Sequence, residues 1–343
     1  MSLSVDFSYS DHTATFANLP AKNTLLTTLN VFADRQTSLS PKVSLDVLDE
    51  VAQKVSKSVN RYGSEWTATA KRQSSNHLIE APLHAYSDRI TAADVQPYRK
   101  PGTDLQMSIL DAITSASLAI HEKYMRTREK MFADALFRNT VEAEFTQQPL
   151  ISWEEEFSYD QATGTIDTGI ALDPLRSIDD AVSATKIRMG GLAGQLDGFI
   201  LFAGSNTYRS IKYHPMVREL VNHHILGSDT LFNKEILPAF STFSLDNVRV
   251  IEVTDPLYGV GADQAFLVPK FSKPLSSDIA LPFGYIATGT SRNLDLAFAE
   301  PVDFRIYSHQ DKLRNVELFA ESSLLPVVFR PDFVSLLTNN PNA

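Results

Sequence analysis

RYGSEWTATAKRQSSNHLIEAPLHAYSDRITAADVQPYRKP, residues 61–101, is a long and mostly polar stretch whose composition indicates extended chain. Connections of this length are uncommon inside compact domains, and they usually have a function or are disordered. The stretch also carries more apolar side chains than is typical of a solvated linker. We therefore predict an ordered arm that a neighbouring copy covers, with contacts made by Trp66, Leu78, Ile79, Leu83 and Tyr86.

Two segments inside this stretch favour a β-hairpin. The first, "EWTATAKRQ" (65–73), alternates apolar and polar residues, and the second, "HLIEAPLHAYSDRI" (77–90), is the predicted return strand. A hairpin that divides forty residues between two strands would reach roughly 65 Å at about 3.3 Å per residue. Because that reach exceeds the width of a small domain, we do not expect the arm to be buried on its own body.

A long amphipathic helix follows the arm. Pro101 and Gly102 interrupt the preceding structure, and Thr103 with Gln106 three residues later forms a capping box. Apolar residues then recur at helical spacing: Leu110, Ile113, Ile120, Tyr124 and Met131, widened by Leu118, Met125, Phe132 and Leu136. The pattern predicts a spine helix from residue 104 to near 138, about 50 Å long at 1.5 Å per residue.

The segment 140–172 favours a long β-hairpin or extension, because β-branched and aromatic residues alternate with acids around the turn "DQATG" (160–164). Three successive acids, Glu154 to Glu156, raise the question of a cation site. On a strand only Glu154 and Glu156 would share a face, so we interpret them as a solvated strand face.

The pattern of predicted elements changes at 173–299, where short strands and helices alternate. We predict a helix capped by Ser177 and Asp180 that ends at Gly190–Gly191, and a later helix with Pro215 in its first turn. Such alternation is typical of an α/β unit with a central sheet. The last segment, 300–343, reads as two or three strands that return to the spine helix.

Composition excludes several classes of protein. The 343-residue chain has no cysteine, which rules out disulfides and thiolate chemistry, and its formal net charge of -10 disfavours tight nucleic-acid binding. No stretch approaches the roughly twenty apolar residues of a membrane span. The first residues show neither a basic start nor an apolar core, so we expect no secretory signal.

The motifs that would indicate catalysis are incomplete. Ser183 and Lys186 have the S-x-x-K spacing of serine acyltransferases, but the two other motifs of those enzymes do not occur. The adjacent His223 and His224 diverge on a helix, and 259–261 lacks the third glycine of a dinucleotide loop. We therefore predict no catalytic, cofactor-binding or metal-binding residues and no enzymatic activity.

Four stretches carry a resemblance to a known family: "GSEWTATAKR" (63–72), "MFADALFRN" (131–139), "EFTQQPLISWEEEF" (144–157) and "ESSLLPVVFRPDFVSLLT" (321–338). With the order of arm, spine helix, β-extension, α/β unit and returning strands, the chain resembles the lambda-type major capsid protein E family of tailed phages. The likeness covers nearly the whole chain. It implies an α+β fold, the Hong Kong 97-like phage capsid fold.

The resemblance also implies a division of the chain. The segments are an N-terminal arm and lead-in (1–60), an extended E-loop (61–101), a P domain of spine helix and β-hairpin (102–170), an α/β A domain (171–299), and a return to the P domain (300–343). Within the A domain, the loop at 255–263 is expected near the centre of the capsomer.

The implied role is structural. Proteins of this family form pentamers and hexamers that tile an icosahedral shell around double-stranded DNA, without sequence-specific binding to it. The implied partners are copies of the same chain, with scaffolding, portal and decoration proteins as further candidates, and neither a cofactor nor a membrane is implied. The implied location is the virion capsid, assembled in the host cytoplasm.

Two alternatives stay open at this point. An encapsulin-like nanocompartment shell would share the fold but enclose enzyme cargo, and the neighbouring genes would distinguish it from a phage capsid. A Ser-Lys type hydrolase would depend on Ser183, so a Ser183→Ala change would abolish its activity.

Overall fold

The computed structural model describes residues 10–11, 24–48, 74–95, 109–142, 149–170, 172–222, 240–245, 247–271, 282–289, 291–296, 300–311 and 315–341. Trp66, the predicted strand 65–73, the capping box at 103–106 and the pair His223–His224 lie outside these residues.

The described α-helices range from one turn to eight turns. They are α1 (Leu25–Leu29), α2 (Ala92–Val95), α3 (Ile109–Phe137), α4 (Trp153–Phe157), α5 (Pro174–Met189), α6 (Ser205–Lys212) and α7 (Pro215–Asn222). Short 3-10 helices lie at Gly190–Gln195, Pro256–Tyr258, Leu294–Leu296 and Pro331–Phe333.

The strands of the first half of the chain are β1 (Ser10–Asp11), β2 (Asp34–Ser38), β3 (Lys42–Leu48), β4 (Ser74–Glu80), β5 (Leu83–Ile90), β6 (Thr140–Glu142), β7 (Pro149–Ser152) and β8 (Ala162–Asp167). Those of the second half are β9 (Leu196–Ala203), β10 (Thr242–Leu245), β11 (Val248–Glu252), β12 (Gln264–Phe271), β13 (Phe283–Thr288), β14 (Arg305–Gln310), β15 (Val316–Val328) and β16 (Ser335–Asn340).

The first large sheet is organised around the long strand β15. Its order is β1-β14-β15-β13-β2, and β5 also pairs with β15. The first part of β15 pairs with β14 and with β5, and its last part, 324–328, pairs with β13. The arm segment therefore returns to the body through β5, because eight of its residues pair with β15 of the same chain.

The second large sheet has the order β10-β11-β9-β12-β16-β8. Strands β9 and β12 lie at its centre and are almost wholly apolar, as expected where both faces of a sheet are covered. One face packs with α5 and α6 in a cluster that includes Ile178, Leu201, Tyr208 and Phe243. The opposite face, through Phe202 and other residues, belongs to the cluster that also contains the spine helix.

The spine helix α3 confirms the predicted helix over its described part and ends at Phe137, one residue before the predicted end. Its last turns are buried in the main core. The ring of Phe137 lies 5.4 Å from that of Phe202 and 4.7 Å from that of Phe266, on two strands of the second sheet. On the other side, Phe132 lies 5.5 Å from Tyr285 of the first sheet. The helix therefore joins the two sheets.

The predicted start of α5 was wrong. The helix begins at Pro174, and the side chain of Asp173 caps it by accepting a hydrogen bond from Leu175 N at 3.0 Å. An aspartate followed by proline is a strong start signal, because proline fits the first helical position. The end at Gly190 is confirmed, and its φ of 55° is the left-handed conformation that favours glycine.

The interpretation of Glu154 to Glu156 as a strand was also wrong. These acids form the one-turn helix α4 between Trp153 and Phe157, whose rings stack 5.5 Å apart. Trp153 and Phe157 are both buried, and a spacing of four residues places them on one helical face. Burial of the two aromatic rings therefore favours a helical turn here over the alternating strand pattern.

The second sheet is larger than the predicted segment 171–299. Strand β8 precedes that segment, strand β16 follows it, and both are members of the sheet. The last segment is thus divided, because β14 and β15 lie in the first sheet whereas β16 lies in the second. The assignment of P-domain and A-domain roles to the segments divided at 170 and 300 stays a prediction.

Candidate assembly surface

The root of the arm is an antiparallel ribbon formed by β3 and β4. Its register runs from the pair Lys42–Glu80 to the pair Leu48–Ser74. Val43, Leu45 and Ile79 are buried, whereas Leu78, which neighbours Ile79 on the strand, is 66% exposed. The ribbon therefore has an inner face on its own body and an outer face open to another molecule.

The inner face of the ribbon packs on α4. Its buried residues belong to the same core cluster as Trp153 and Phe157. The ring of His77 meets that of Phe157 edge-on at 5.6 Å, and Nδ1 of His77 lies 2.7 Å from Oε1 of Glu156. A two-stranded ribbon is only marginally stable by itself, so these contacts hold the root of the arm in place.

The pairing of the arm differs from the prediction. We expected residues 65–73 to pair with the return strand, but β4 pairs with β3, which precedes the quoted stretch. The reason is that the buried Val43 lies opposite Ile79, and the buried Leu45 lies opposite His77. The connection between the paired ends Leu48 and Ser74 is therefore 49–73.

The return strand β5 is part of the body. Tyr86 is buried, and Nζ of Lys123 on the spine helix lies 5.6 Å from the centre of its ring. At the far end of the strand, Nη2 of Arg89 lies 2.6 Å from Oδ2 of Asp311. The first sheet and the spine helix thus fix this part of the arm within its own chain.

The five predicted contact residues have different surroundings. The expectation that a neighbour covers Ile79 and Tyr86 is corrected, because their own chain buries them. Leu78 is exposed and Leu83 is half-buried, while Trp66 lies outside the described residues. Contact with a neighbouring copy stays a prediction for Leu78, Leu83 and Trp66.

A second exposed apolar patch lies at the corner between α6 and α7. Ile170 is 86% exposed, Tyr213 is 56% exposed and Met216 is 40% exposed. The buried His214 holds the corner to the segment that carries Ile170, because its Nε2 lies 3.1 Å from the carbonyl oxygen of Gly169. Apolar side chains that are this exposed and this close in the fold are typical of contact surfaces.

A buried carboxylate on the spine helix is the polar feature that the sequence did not predict. Glu129 is 1% exposed, and its oxygens accept hydrogen bonds from Leu26 N, from Thr27 N and Oγ1, and from Tyr258 OH. Tyr258 OH also accepts one from Leu25 N at 3.1 Å. A usable signal was present, since Glu129 lies at helical spacing from apolar residues of the predicted stripe, such as Phe132 and Leu136.

The same contacts place the loop 255–263 within its own chain. Tyr258 is buried against the spine helix, and Gly259 lies so close to Arg138 that an added Cβ would stand 2.8 Å from its Nη2. The φ of Gly259 is 66°, which also favours glycine. This loop therefore packs on the spine helix of its own chain, and its position near the centre of a capsomer stays a prediction.

Burial raises the pKa of Glu129, although the hydrogen bonds from Leu26, Thr27 and Tyr258 act in the opposite direction. A carboxyl group with a raised pKa contributes stability below its unfolded pKa of about 4.3, and that contribution is lost as the pH rises through the folded pKa. We therefore expect wild type to lose stability relative to Glu129→Gln as the pH rises. Urea unfolding of both proteins across the pH range measures this difference. A difference that moves in the opposite direction would show that the four donors outweigh burial.

Of the side chains considered for catalysis, the structure describes Ser183 and Lys186. Ser183 and Lys186 are both exposed on α5, and Nζ of Lys186 lies 5.9 Å from the ring centre of Phe199. In the part of the chain that the structure describes, no group of three His, Cys, Asp or Glu side chains could hold a metal ion. No described helix is both long and apolar enough to cross a membrane.

Comparison with known proteins gives a family match. The model of the family described as phage major capsid protein E matches residues 10–338, which is most of the chain. No curated protein sequence matches.

Solved structures show the same architecture at low sequence identity. A chain of the mature capsid of bacteriophage PhiM1 is 11% identical with a TM-score of 0.53, and the match covers 95% of this chain and 89% of that one. A capsid chain of the cyanophage P-SCSP1u is 10% identical with a TM-score of 0.51, covering 94% and 90%. The capsid of a native GTA particle gives 12% identity and a TM-score of 0.50, covering 96% and 97%. The predicted α+β capsid fold of the Hong Kong 97 type is thus confirmed.

Proposed function

The chain belongs to the phage major capsid protein E family, and we propose that it assembles as pentamers and hexamers into the icosahedral head that encloses double-stranded DNA. As a capsid protein it forms the shell of the virion and has a structural role. Neither the nanocompartment shell nor the Ser-Lys hydrolase is favoured, because the family match points to phages and Ser183 and Lys186 are both exposed on α5.

The observation that carries the proposal is the two-faced ribbon at the root of the arm. Its inner face is fixed to its own body by packing on α4, while Leu78 on the outer face has no comparable cover within the described residues. Burying a leucine side chain contributes about 1.5–3 kcal/mol, and every copy in a shell would repeat that contribution. We propose that the outer face, Leu83 and the connection 49–73, which contains Trp66, contact a neighbouring copy as the E-loop.

The corner between α6 and α7 is the second proposed contact. Tyr213 is stacked by the guanidinium of Arg218, whose central carbon lies 5.4 Å from the ring centre, so the corner combines apolar surface with positive charge. The exposed residues of α5 include the acids Asp179 and Asp180 as well as the basic Arg176 and Lys186. We propose that the α/β unit acts as the A domain and that Arg218 at this corner meets Asp179 and Asp180 of α5 on the next copy around a capsomer.

The remaining partners follow from the role of a shell subunit. The formal net charge of -10 supports a container that encloses DNA without sequence-specific binding. We propose assembly in the host cytoplasm, with scaffolding, portal and decoration proteins as further partners. A shell of this kind requires neither a cofactor nor a membrane.

Leu78→Asp tests the outer face directly. Because Leu78 is 66% exposed in the subunit, we expect the substitution to change the unfolding free energy by no more than about 0.5 kcal/mol. A carboxylate buried at every contact should nevertheless weaken each contact by about 1.4 kcal/mol or more, which is at least tenfold in the equilibrium constant of that contact. Because a shell repeats the contact in every copy, the yield of closed shells should fall at least tenfold. Sedimentation of the assembled fraction measures the yield.

Leu78→Met is the matched control for this experiment. It keeps an apolar side chain of similar volume at the same position, so its yield of shells should equal that of wild type. A normal yield of shells from the Leu78→Asp protein would show that the outer face of the ribbon is not part of the assembly interface.

A further inference from the structure

The N-terminal helix α1 is held by polar groups from two distant parts of the chain. Its capping residue Thr24 makes no side-chain hydrogen bond to the first turn. The N–H groups of Leu25, Leu26 and Thr27 therefore need other acceptors, because the first turn of a helix has none of its own. Glu129 of the spine helix accepts from two of them, and the hydroxyl of Tyr258 accepts from the third.

Glu129 and Tyr258 are also bonded to each other. The hydroxyl of Tyr258 donates to Oε1 of Glu129 at 3.0 Å, and both side chains are 1% exposed. Tyr258 lies in the 3-10 helix Pro256–Tyr258, which leads into the second sheet. The same carboxylate thus fastens α1 and this loop to the spine helix.

The neighbouring charges on the spine helix are engaged elsewhere. Lys130 pairs with Asp134, and the guanidinium carbon of Arg128 lies 5.2 Å from the ring centres of both Phe132 and Tyr285. Among the described residues, Glu129 has no ion-pair partner within 4 Å. Its buried oxygens therefore depend on the donors of α1 and the hydroxyl of Tyr258.

We infer that Glu129 and Tyr258 form a clasp that couples two attachments, the seating of α1 and the docking of the loop 255–259 on the spine helix. If α1 leaves, the carboxylate loses three of its donors and becomes a buried group with too few partners. If the loop leaves, Leu25 N loses its acceptor and Glu129 loses the hydroxyl. The two attachments therefore loosen together, and the coupling is reciprocal.

The clasp gives the subunit a conformational device. The helix α1 belongs to the lead-in and the loop belongs to the α/β unit, and they are linked by the hydrogen bond from Leu25 N to Tyr258 OH and by the carboxylate of Glu129 that both contact. Because both attachments use the carboxylate of Glu129 on the spine helix, loosening either one lowers the stability of the other. This inference rests on the contacts within one chain and does not depend on the proposed assembly.

Hydrogen exchange of the full chain tests the coupling. Tyr258→Phe removes only the shared hydroxyl, and Thr27→Val removes only the Oγ1 donor. We expect each variant to speed exchange about fivefold both in the peptide that contains α1 and in the peptide that contains residues 256–259, as loss of one hydrogen bond predicts. The effect of Thr27→Val on the loop is the most informative result, because Thr27 lies in α1 and has its contact with Glu129. Faster exchange in residues 256–259 of this variant can therefore be explained only by coupling.

Tyr307→Phe is the matched control. The hydroxyl of Tyr307 donates at 3.2 Å to Glu321, another buried glutamate, in the first sheet. Its loss should leave exchange unchanged in both peptides of the clasp. The inference is overturned if Tyr258→Phe changes only the loop, if Thr27→Val changes only α1, or if Tyr307→Phe changes both. Should Tyr258→Phe fail to fold, the Thr27→Val protein decides alone.

Discussion

A subunit in which residues 49–73 are replaced by the dipeptide Asn-Gly should fold normally and fail to form closed shells. Leu48 and Ser74 are directly paired at the end of the ribbon, so a two-residue turn can join them without disturbing the register. The body keeps β3, β4 and β5, which pack on α4 and β15 of the same chain. What the variant loses is the segment proposed to contact a neighbour, and with it most of the arm's interface.

The measurement compares thermal unfolding with shell formation. The expected result is a folded subunit with a cooperative transition and no closed shells by sedimentation. A second variant replaces 49–73 with a Gly/Ser segment of equal length, which keeps the span but removes side chains such as Trp66. It should also fail to assemble. Closed shells from either variant would show that this segment does not hold the subunits together, whereas an unfolded subunit would place it in the core.

Leu136→Ala should destabilise the subunit by about 2–5 kcal/mol, because it removes a fully buried side chain and leaves a cavity. Leu136 is 0% exposed in the last turn of the spine helix, where the helix joins the two sheets. Urea unfolding of the free subunit, followed by tryptophan fluorescence, measures the change, and the buried Trp153 provides a probe of the core.

Leu118→Ala on the same helix is the control. Leu118 is 37% exposed, so the same chemical change should cost less than about 1 kcal/mol. Equal losses in the two variants would contradict the packing described here, because they would mean that the two faces of the helix are buried alike. A larger loss of stability in Leu118→Ala than in Leu136→Ala would mean that the face of the helix carrying Leu118 is the more buried one, contrary to the structure.

The sequence predicted the elements whose signals are local. The spine helix has a long apolar stripe, and the structure confirms it from Ile109 to Phe137. The predicted alternation of short strands and helices at 173–299 likewise agrees with the structure, where β9 and β12 lie in that segment. The glycine end of α5 was predicted correctly, because a left-handed residue there favours glycine.

The errors concern partners that are distant in sequence. Nothing local shows that β4 pairs with β3 across the connection 49–73, since any strand with a matching apolar face would fit the same pattern. The helix α4 was misassigned because the surrounding residues follow an alternating strand pattern, while the burial of Trp153 and Phe157 that favours the helical turn is a tertiary effect. Membership of β16 in the second sheet has the same origin.

The candidate surface was predictable only in part. The composition of 61–101 indicated an arm, and the exposure of Leu78 agrees with that interpretation. The burial of Ile79 and Tyr86 could not be foreseen, because it depends on α4, β15 and the spine helix. Glu129 was overlooked for a different reason: a carboxylate on a helix normally faces water, and only the approach of α1 and Tyr258 explains its burial.

Negative-stain electron microscopy of the purified full chain tests the central proposal most directly. If the chain is a self-assembling capsid subunit whose arm contacts the next copy, the images should show closed shells of uniform diameter, with rings of five and six subunits as the smaller species. A field of monomers at concentrations that support assembly of such shells, with no rings or closed particles, would contradict the proposal.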